Sequence, residues 1–261
     1  MGLSRAPLMI LLAFGTSCAA APPETDLWNG RDFTGFYTFL QKSGRNTDPD
    51  QVFRIHDGMI HVSGKEFGYL CTEREYENYA LRLEFKWGES TWAPREKSAR
   101  DSGLLFHMQG PDKVWPRSIE FQIIEGGTGD LLLVDHASMD FDPALECRFS
   151  EPKMTSEDGT RIVRGRIDWE KRSPVWKDVL GFRAVPDLER PHGQWNTLDL
   201  HCRGDRFAYW VNGTKVVEGR GAQPCKGRIL LQSEGAELYF RKITLRDLQS
   251  PESSSTAVDL R

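Results

Sequence analysis

The sequence lacks the long amphipathic periods that mark helices: no segment of more than ten residues repeats its apolar positions at helical spacing. A stripe of Lys and Arg is also missing, and the formal net charge is −4, which argues against a nucleic-acid partner. No two cysteines stand at C-x-x-C spacing, and no other set of ligand residues shows metal-site spacing. The sequence therefore disfavours a zinc knuckle and leaves a divalent metal open as a cofactor.

Turn residues and short strand patterns are abundant instead. The 24 Gly, 14 Pro and 11% aromatic residues are typical of a turn-rich β protein. Residues 79–87 alternate between apolar and charged side chains, as a half-buried antiparallel strand does, and Asn212-Gly213 is the dipeptide of a type I′ hairpin turn. The sequence predicts an all-β protein, an antiparallel β-sandwich with long loops over 137–192 on one side.

The N-terminal residues are typical of an export signal. An apolar run from Pro7 to Phe14 follows one Arg, precedes small residues, and is too short to span a membrane. Cleavage before Cys18 would leave a lipidated membrane tether, whereas the small residues after it offer an ordinary site. Both alternatives predict an exported protein, periplasmic or on the outer surface. We expect the following organisation: signal peptide 1–21, linker 22–26, sandwich 27–247 and disordered Ser-rich tail 248–261.

Four cysteines remain once Cys18 is set aside: Cys71, Cys147, Cys202 and Cys225. An exported protein can oxidise them, and four cysteines allow three pairings. Buried free thiols are the equally supported alternative, and the sequence does not choose between the two.

The stretch 117–130 raises the question of function, because its strand pattern carries Glu120 and Gln122. If 118–125 is a strand, Ile119 and every second residue after it point to the core, and Glu120 and Gln122 share the opposite face. Glu125 falls on the core side unless a bulge shifts it. The opposite face is either simply solvated or a binding groove.

The neighbours of this strand favour a groove for a sugar. Trp115 and Arg117 precede the strand, and a Gly-rich turn after it ends in Asp130. An indole stacks on the apolar face of a sugar ring, while charged groups hydrogen-bond its hydroxyls.

Several sequence segments, in a fixed order along the chain, resemble those of a known family. They are "LWNGRDFTGF", "HDGMIHVSGKEFGYLCTEREYENYALRLEFKW", "DSGLLFHM" and "KVWPRSIEFQIIEGGTGD", followed by "GQWN", "VNG", "GRILLQSEG" and "FRKITL". Together they span roughly residues 26–247 and are similar to the 3-keto-disaccharide hydrolase family, whose fold is a concanavalin A-like lectin/glucanase sandwich. Two positions depart from the family pattern: Asp101 stands where Asn is usual, and His107 where Arg is frequent.

The resemblance implies a glycoside substrate whose sugar is oxidised to a ketone at C3. The ketone acidifies the C2 proton, a base removes it, and the glycosidic oxygen leaves C1, after which water can add. We assign Glu120 as the leading base or ligand, His107 as a base, acid or metal ligand, and Lys86 as the group that polarises the ketone. The predicted substrate contacts are Trp115, Arg117, Gln122, Asp130, Gln232 and Arg241.

The sequence is also compatible with two other functions. "EFQIIE" is similar to the strand motif of laminarinase-type glucanases, in which Glu120 and Glu125 would be nucleophile and acid/base about 5–5.5 Å apart. The central Asp of that motif is Gln122 here. The other alternative is a non-catalytic sugar-binding module on the same sandwich.

Overall fold

The computed structural model describes residues 23–141 and 148–248. The expected signal peptide, Cys18, Cys147 and nearly all of the expected C-terminal tail lie outside these residues. Within them no helix is long and apolar enough to cross a membrane, and every regular element is a strand. The strands form two sheets, of eight and ten strands.

The eight-stranded sheet is built around the long strands β7 and β18. In spatial order its strands are β16 (Thr214–Gly219), β15 (Arg206–Val211), β14 (Asn196–Arg203), β7 (Tyr79–Thr91), β18 (Ala236–Asp247), β5 (Met59–Val62) and β4 (Phe53–His56), with β1 (Glu24–Asp26) paired to β18. The expected linker therefore contributes a short strand to the fold. The predicted hairpin is confirmed: Asn212 and Gly213 join β15 to β16 with φ of 48° and 81°, as a type I′ turn requires.

The ten-stranded sheet carries the strand with Glu120 near its middle. In spatial order its strands are β11 (Met139–Asp140), β13 (Arg161–Ile167), β10 (Leu131–Val134), β9 (Arg117–Ile124), β8 (Asp101–Gln109), β17 (Arg228–Ser233), β6 (Gly68–Thr72), β2 (Phe36–Leu40) and β3 (Gly44–Arg45), with β12 (Met154–Thr155) paired to β13. All pairings in both sheets are antiparallel.

Strand β13 lies in the region that the sequence predicted as loops. Its core residues Ile162 and Ile167 are five positions apart. Strict alternation puts residues an odd number of positions apart on opposite faces, so this strand departs from the period-two pattern. Its pairing partners also change along its length, from β11 and β12 to β10. Strand β13 therefore contributes charged side chains to the ten-stranded sheet in a region where the sequence pattern did not predict a strand.

The core lies between the two sheets, and the predicted sandwich is confirmed. The predicted alternation of β7 holds, since its odd-numbered residues from Tyr79 to Trp87 are buried. From the other sheet, Ile119, Phe121 and Ile123 enter the same core. The rings of Phe121 and Tyr209 stack with centroids 3.9 Å apart and so join the two layers. Because side chains alternate along a strand, Glu120 and Gln122 point away from this core.

The described cysteines are not joined to one another. Cys71 and Cys202 are buried thiols, and Cys225 is an exposed one. Burial raises the pKa of both buried thiols to about 12, so neither forms a thiolate at neutral pH.

Candidate active site

A cavity of about 770 Å³ lies over the outer face of the ten-stranded sheet, and we call it the groove. Glu120 and Gln122 of β9, Asp101 of β8 and Arg166 of β13 line it from the sheet. Glu234, Trp115 and Trp176 line it from the connecting segments. The groove thus collects carboxyl, guanidinium and indole groups on one surface, a composition suited to a polar ring with hydroxyl groups.

Glu120 is the most unusual side chain of the groove. It is only 3% exposed, and in the described part of the chain no donor lies within hydrogen-bond distance of its carboxyl. Burial, with the nearby charge of Asp101 adding to it and that of Arg166 opposing it, raises the pKa of Glu120 to about 8. A carboxyl with these properties can exchange a proton near neutral pH.

Asp101 is a second buried carboxyl, and it has partners. Gln122 donates its Nε2 hydrogen to Asp101 Oδ1, and Arg95 Nη2 lies 3.2 Å from Asp101 Oδ2. Burial raises the pKa of Asp101 to about 6, and the charge of Arg95 limits that rise. At neutral pH Asp101 therefore carries more negative charge than Glu120 does.

Arg166 is a buried cation of the groove, and Asp130 holds it in place. The Asp130 Oδ2 atom lies 2.9 Å from Arg166 Nε, 2.8 Å from Arg166 Nη2 and 3.0 Å from Arg172 Nε. Asp130 itself is fully buried beneath the two guanidinium groups. It therefore orients Arg166 and does not reach a sugar hydroxyl, which differs from its predicted role as a substrate contact.

Arg166, Trp176 and Glu234 are among the groove residues that were not predicted from the sequence. Arg166 was missed because β13 departs from strand alternation. Glu234 follows β17 two positions after Gln232, so a period-two extension of "RILLQSE" was the signal that could have found it. Burial and the charges of Asp101 and Glu120 raise the pKa of Glu234 well above its usual range.

His107 does not line the groove, although it is on the same strand, β8, as the groove residue Asp101. A bulge between Phe106 and Gln109 gives His107 a φ of 57° and turns its ring away from the groove. The ring is fully buried against Tyr79, and Nδ1 lies 3.3 Å from the carbonyl oxygen of Pro224. Burial lowers the pKa of His107 to about 4, so it is a neutral side chain outside the groove, which differs from its predicted role as a base, acid or metal ligand.

Lys86 and Arg241 lie on the other sheet. Lys86 Nζ is 5.1 Å from the ring centroid of Trp195, and the Arg241 guanidinium is 3.9 Å from the same ring. Arg241 also donates from Nε to Glu84 at 2.6 Å. Alternation correctly predicted that Lys86 is on the polar face of its strand, but it carries no information on which sheet the strand joins. Neither cation can contact a molecule in the groove.

The remaining predicted substrate contacts divide between the groove and its surroundings. Trp115 lines the groove and is 45% exposed, with its ring edge-on to Phe67 at 6.1 Å. Gln232 is buried beside Glu120 across Gly103. Arg117 begins β9, is half-buried and does not line the groove.

Glu125 also lies outside the groove, just beyond the end of β9. Its carboxylate accepts hydrogen bonds from Arg100 Nη1 at 2.7 Å and from the Gly181 amide at 2.9 Å. The Glu120/Glu125 pair of a retaining glucanase is therefore not assembled. Among residues 23–141 and 148–248, no three His, Cys, Asp or Glu side chains are arranged to hold a metal ion.

Comparisons with known proteins agree with this architecture. Two structures of putative glycosyl hydrolases from Parabacteroides distasonis ATCC 8503 are similar to the chain. The first has a TM-score of 0.51 and 21% identity, covering 87% of this chain and 94% of the other. The second has a TM-score of 0.50 and 20% identity, covering 87% of this chain and 100% of the other. At these identities the similarity concerns the fold.

A search of curated proteins finds no match. One family model matches residues 23–246, and it describes a 3-keto-alpha-glucoside-1,2-lyase-like domain. That match spans most of the chain and the whole groove described above. The prediction from the ordered motifs is therefore confirmed, and the protein belongs to the 3-keto-disaccharide hydrolase family.

Proposed function

We propose that the groove binds a glycoside carrying a ketone at C3 and cleaves it by elimination. The observation that carries the proposal is Glu120, a buried carboxyl with a raised pKa and no hydrogen-bond donor among the described residues, on the same surface as Arg166. Membership of a family of 3-keto-glycoside lyase-like domains supports this substrate class. Such a substrate presents the acidic C2–H bond that a carboxylate base requires.

The reaction begins when the ionised Glu120 removes the proton from C2. The electron pair of the C–H bond forms an enolate, whose negative charge develops on the C3 oxygen. The Arg166 guanidinium, held by Asp130, is the group that stabilises this charge. Because Asp130 fixes the guanidinium beforehand, little reorganisation accompanies the appearance of the charge.

The enolate then expels the glycosidic oxygen from C1 and leaves a C1=C2 double bond conjugated to the ketone. We assign Glu234 as the acid that protonates the leaving oxygen, because its carboxyl lines the groove and its pKa lies well above the usual range. Addition of water then places a hydroxyl on C1 and a hydrogen on C2, which completes a net hydrolysis. Trp115 and Trp176 supply the surfaces on which the sugar rings pack.

A matched substrate pair tests this function. A 3-keto-glucoside and its unoxidised parent are incubated with the protein in deuterium oxide, and the reaction is followed by NMR and by ultraviolet absorbance. We expect turnover of the keto substrate alone, with deuterium incorporated at C2 and a transient enone absorbance. Hydrolysis of the parent would contradict elimination, and binding without any product would indicate a sugar-binding module.

We also propose that the protein is exported, because residues 1–21 have the composition of a signal peptide. Fractionation of the producing cells tests this, with the protein expected outside the cytoplasm. Incorporation of labelled palmitate that is lost in Cys18→Ser would identify a lipid anchor, and its absence would favour ordinary cleavage.

A further inference from the structure

Gln232 has a buried acceptor with no partner, directly beside the proposed base. The side chain is 3% exposed, and its Oε1 atom is buried without a hydrogen bond in the part of the chain that the structure describes. Its backbone is fixed, since the Gln232 carbonyl accepts from Ser102 Oγ at 2.8 Å. A buried amide oxygen without a donor is destabilising, so such an atom calls for an explanation.

Gly103 brings this acceptor and the Glu120 carboxyl together. A Cβ atom added to Gly103 would lie within 3.0 Å of both Glu120 Oε1 and Gln232 Oε1. The two oxygens therefore share the space that any other residue at position 103 would occupy. Gly103 also pairs with Gln122 of β9, and the Gln122 amide already donates a hydrogen bond to Asp101.

We propose that Gln232 is a positioning residue for Glu120: its Oε1 accepts a hydrogen bond from the neutral Glu120 carboxyl and holds that carboxyl over Gly103. One hydrogen bond then satisfies the unpartnered acceptor and the unpartnered acid together. Deprotonation breaks this bond, so the carboxylate is released toward the groove in the state in which it acts as a base. The catalytic consequence rests on the proposed function, whereas the hydrogen bond does not.

The charged groups around Glu120 act in both directions and are the same with or without Gln232. Asp101 faces it from β8 and Glu151 from the segment before β12, and both charges favour the neutral carboxyl. Glu234, which follows β17, interacts with it as a third carboxyl. Arg166 faces it from β13 and favours the ionised form. A change confined to Gln232 therefore isolates the contribution of its amide.

The titration of Glu120 itself is the test. Protein with ¹³C-labelled glutamate side chains is titrated by NMR, and the Glu120 carboxyl signal is identified by its loss in Glu120→Gln. Gln232→Met keeps the length of the side chain and removes the acceptor. Because the acceptor stabilises the neutral form, we expect the midpoint of Glu120 to fall by roughly 0.5–1 pH unit in this variant.

Gln109→Met is the matched control, since Gln109 is on β8 and its amide binds the Lys226 carbonyl at 3.0 Å, outside the groove. Its Glu120 midpoint should equal that of the wild type. If Gln232→Met does not fold, Gln232→Asn is the second variant. It shortens the side chain by one methylene, which moves the amide away from Glu120, and it should also lower the midpoint of the Glu120 titration. A midpoint that stays constant or rises in the Gln232 variants overturns the proposal. Inactivity of the wild type on keto-glycosides, with the shift present, would refute the function alone.

Discussion

Each outer face of the sandwich carries a glutamate on a strand, but the two glutamates differ in their hydrogen-bond partners. On the eight-stranded sheet, Glu84 accepts hydrogen bonds from Arg241 at 2.6 Å and Lys242 at 2.8 Å. On the ten-stranded sheet, Glu120 is buried and has no donor among the described residues. Burial acts to raise the pKa of Glu84, but its two cationic partners outweigh burial and the pKa falls. A strand carboxylate is therefore a candidate for chemistry when it is buried and left without a donor.

The largest expected effect separates these two glutamates by activity. Glu120→Gln removes the base and keeps its shape, so we expect turnover of a 3-keto-glucoside to fall by about 10²–10⁴-fold. Glu84→Gln, the matched change on the other sheet, should leave the rate within about twofold. Initial rates at saturating substrate measure both. Full activity of Glu120→Gln would remove Glu120 from the mechanism.

The next comparison is between a buried and an exposed ion pair. Asp130→Asn removes the anion between two buried guanidinium groups, and we expect the free energy of unfolding to fall by about 3–5 kcal/mol. Asp199→Asn breaks the pair with the exposed Arg82, which contributes about 0–1 kcal/mol. Urea denaturation measures both variants. Equal losses would show that the Asp130 cluster contributes no more to stability than a surface pair.

The pH dependence of stability should have opposite signs for the two glutamates. The pKa of Glu120 rises from 4.5 to about 8 on folding, so its stabilising contribution is present below pH 4.5 and lost as the pH rises through 8. Glu120→Gln should therefore match the wild type near pH 4 and exceed it by about 5 kcal/mol near pH 9. Glu84 has a lowered pKa, so its stabilising contribution is fully present above pH 4.5 and is lost as the pH falls below that value. Glu84→Gln should therefore be less stable than the wild type near pH 5 and above, and approach it in acid. Denaturation curves well below pH 4.5, near pH 5 and near pH 9 decide, and parallel trends for the two variants would contradict the contrast.

The rate should follow the ionisation of Glu120. A general base acts when it is ionised, so kcat/KM should rise about tenfold per pH unit below pH 8. Glu234 acts as the acid only while it is protonated, so the rate should fall again at the pH where Glu234 ionises. A profile measured on one keto-glucoside from pH 5 to 10 tests this. A profile without the rising limb would remove Glu120 as the base.

The smallest expected effect concerns the cations of the eight-stranded sheet. Lys86 and Arg241 lie on the sheet opposite the groove, so Lys86→Met and Arg241→Met should each keep the activity within about twofold of the wild type. Arg166→Met serves as the counterpart in the groove, and it should reduce kcat. If Lys86→Met were as impaired as Arg166→Met, the substrate would have to reach the other face of the sandwich.

The sequence predicted strand faces and turns correctly, because both depend on residues that are close together in the chain. Alternation along a strand gives the faces, so the shared face of Glu120 and Gln122 and the turn at Asn212 followed from the sequence. Sheet membership depends on long-range pairing, which alternation does not encode, and Lys86 was misplaced for that reason. A bulge that adds one residue reverses which face the following side chains occupy, and it moved His107 out of the predicted site.

The cluster around Asp130 has a consequence for how the site can change. Arg172, which shares Asp130 with Arg166, also packs on the Trp176 indole, 4.3 Å from the ring centroid. The Trp176 indole that lines the groove and the Arg166 guanidinium are therefore anchored on one carboxylate. A substitution that moves the indole is expected to shift the guanidinium as well. Under the proposed function, a change that alters the fit of a substrate at Trp176 would then also alter the rate of its turnover.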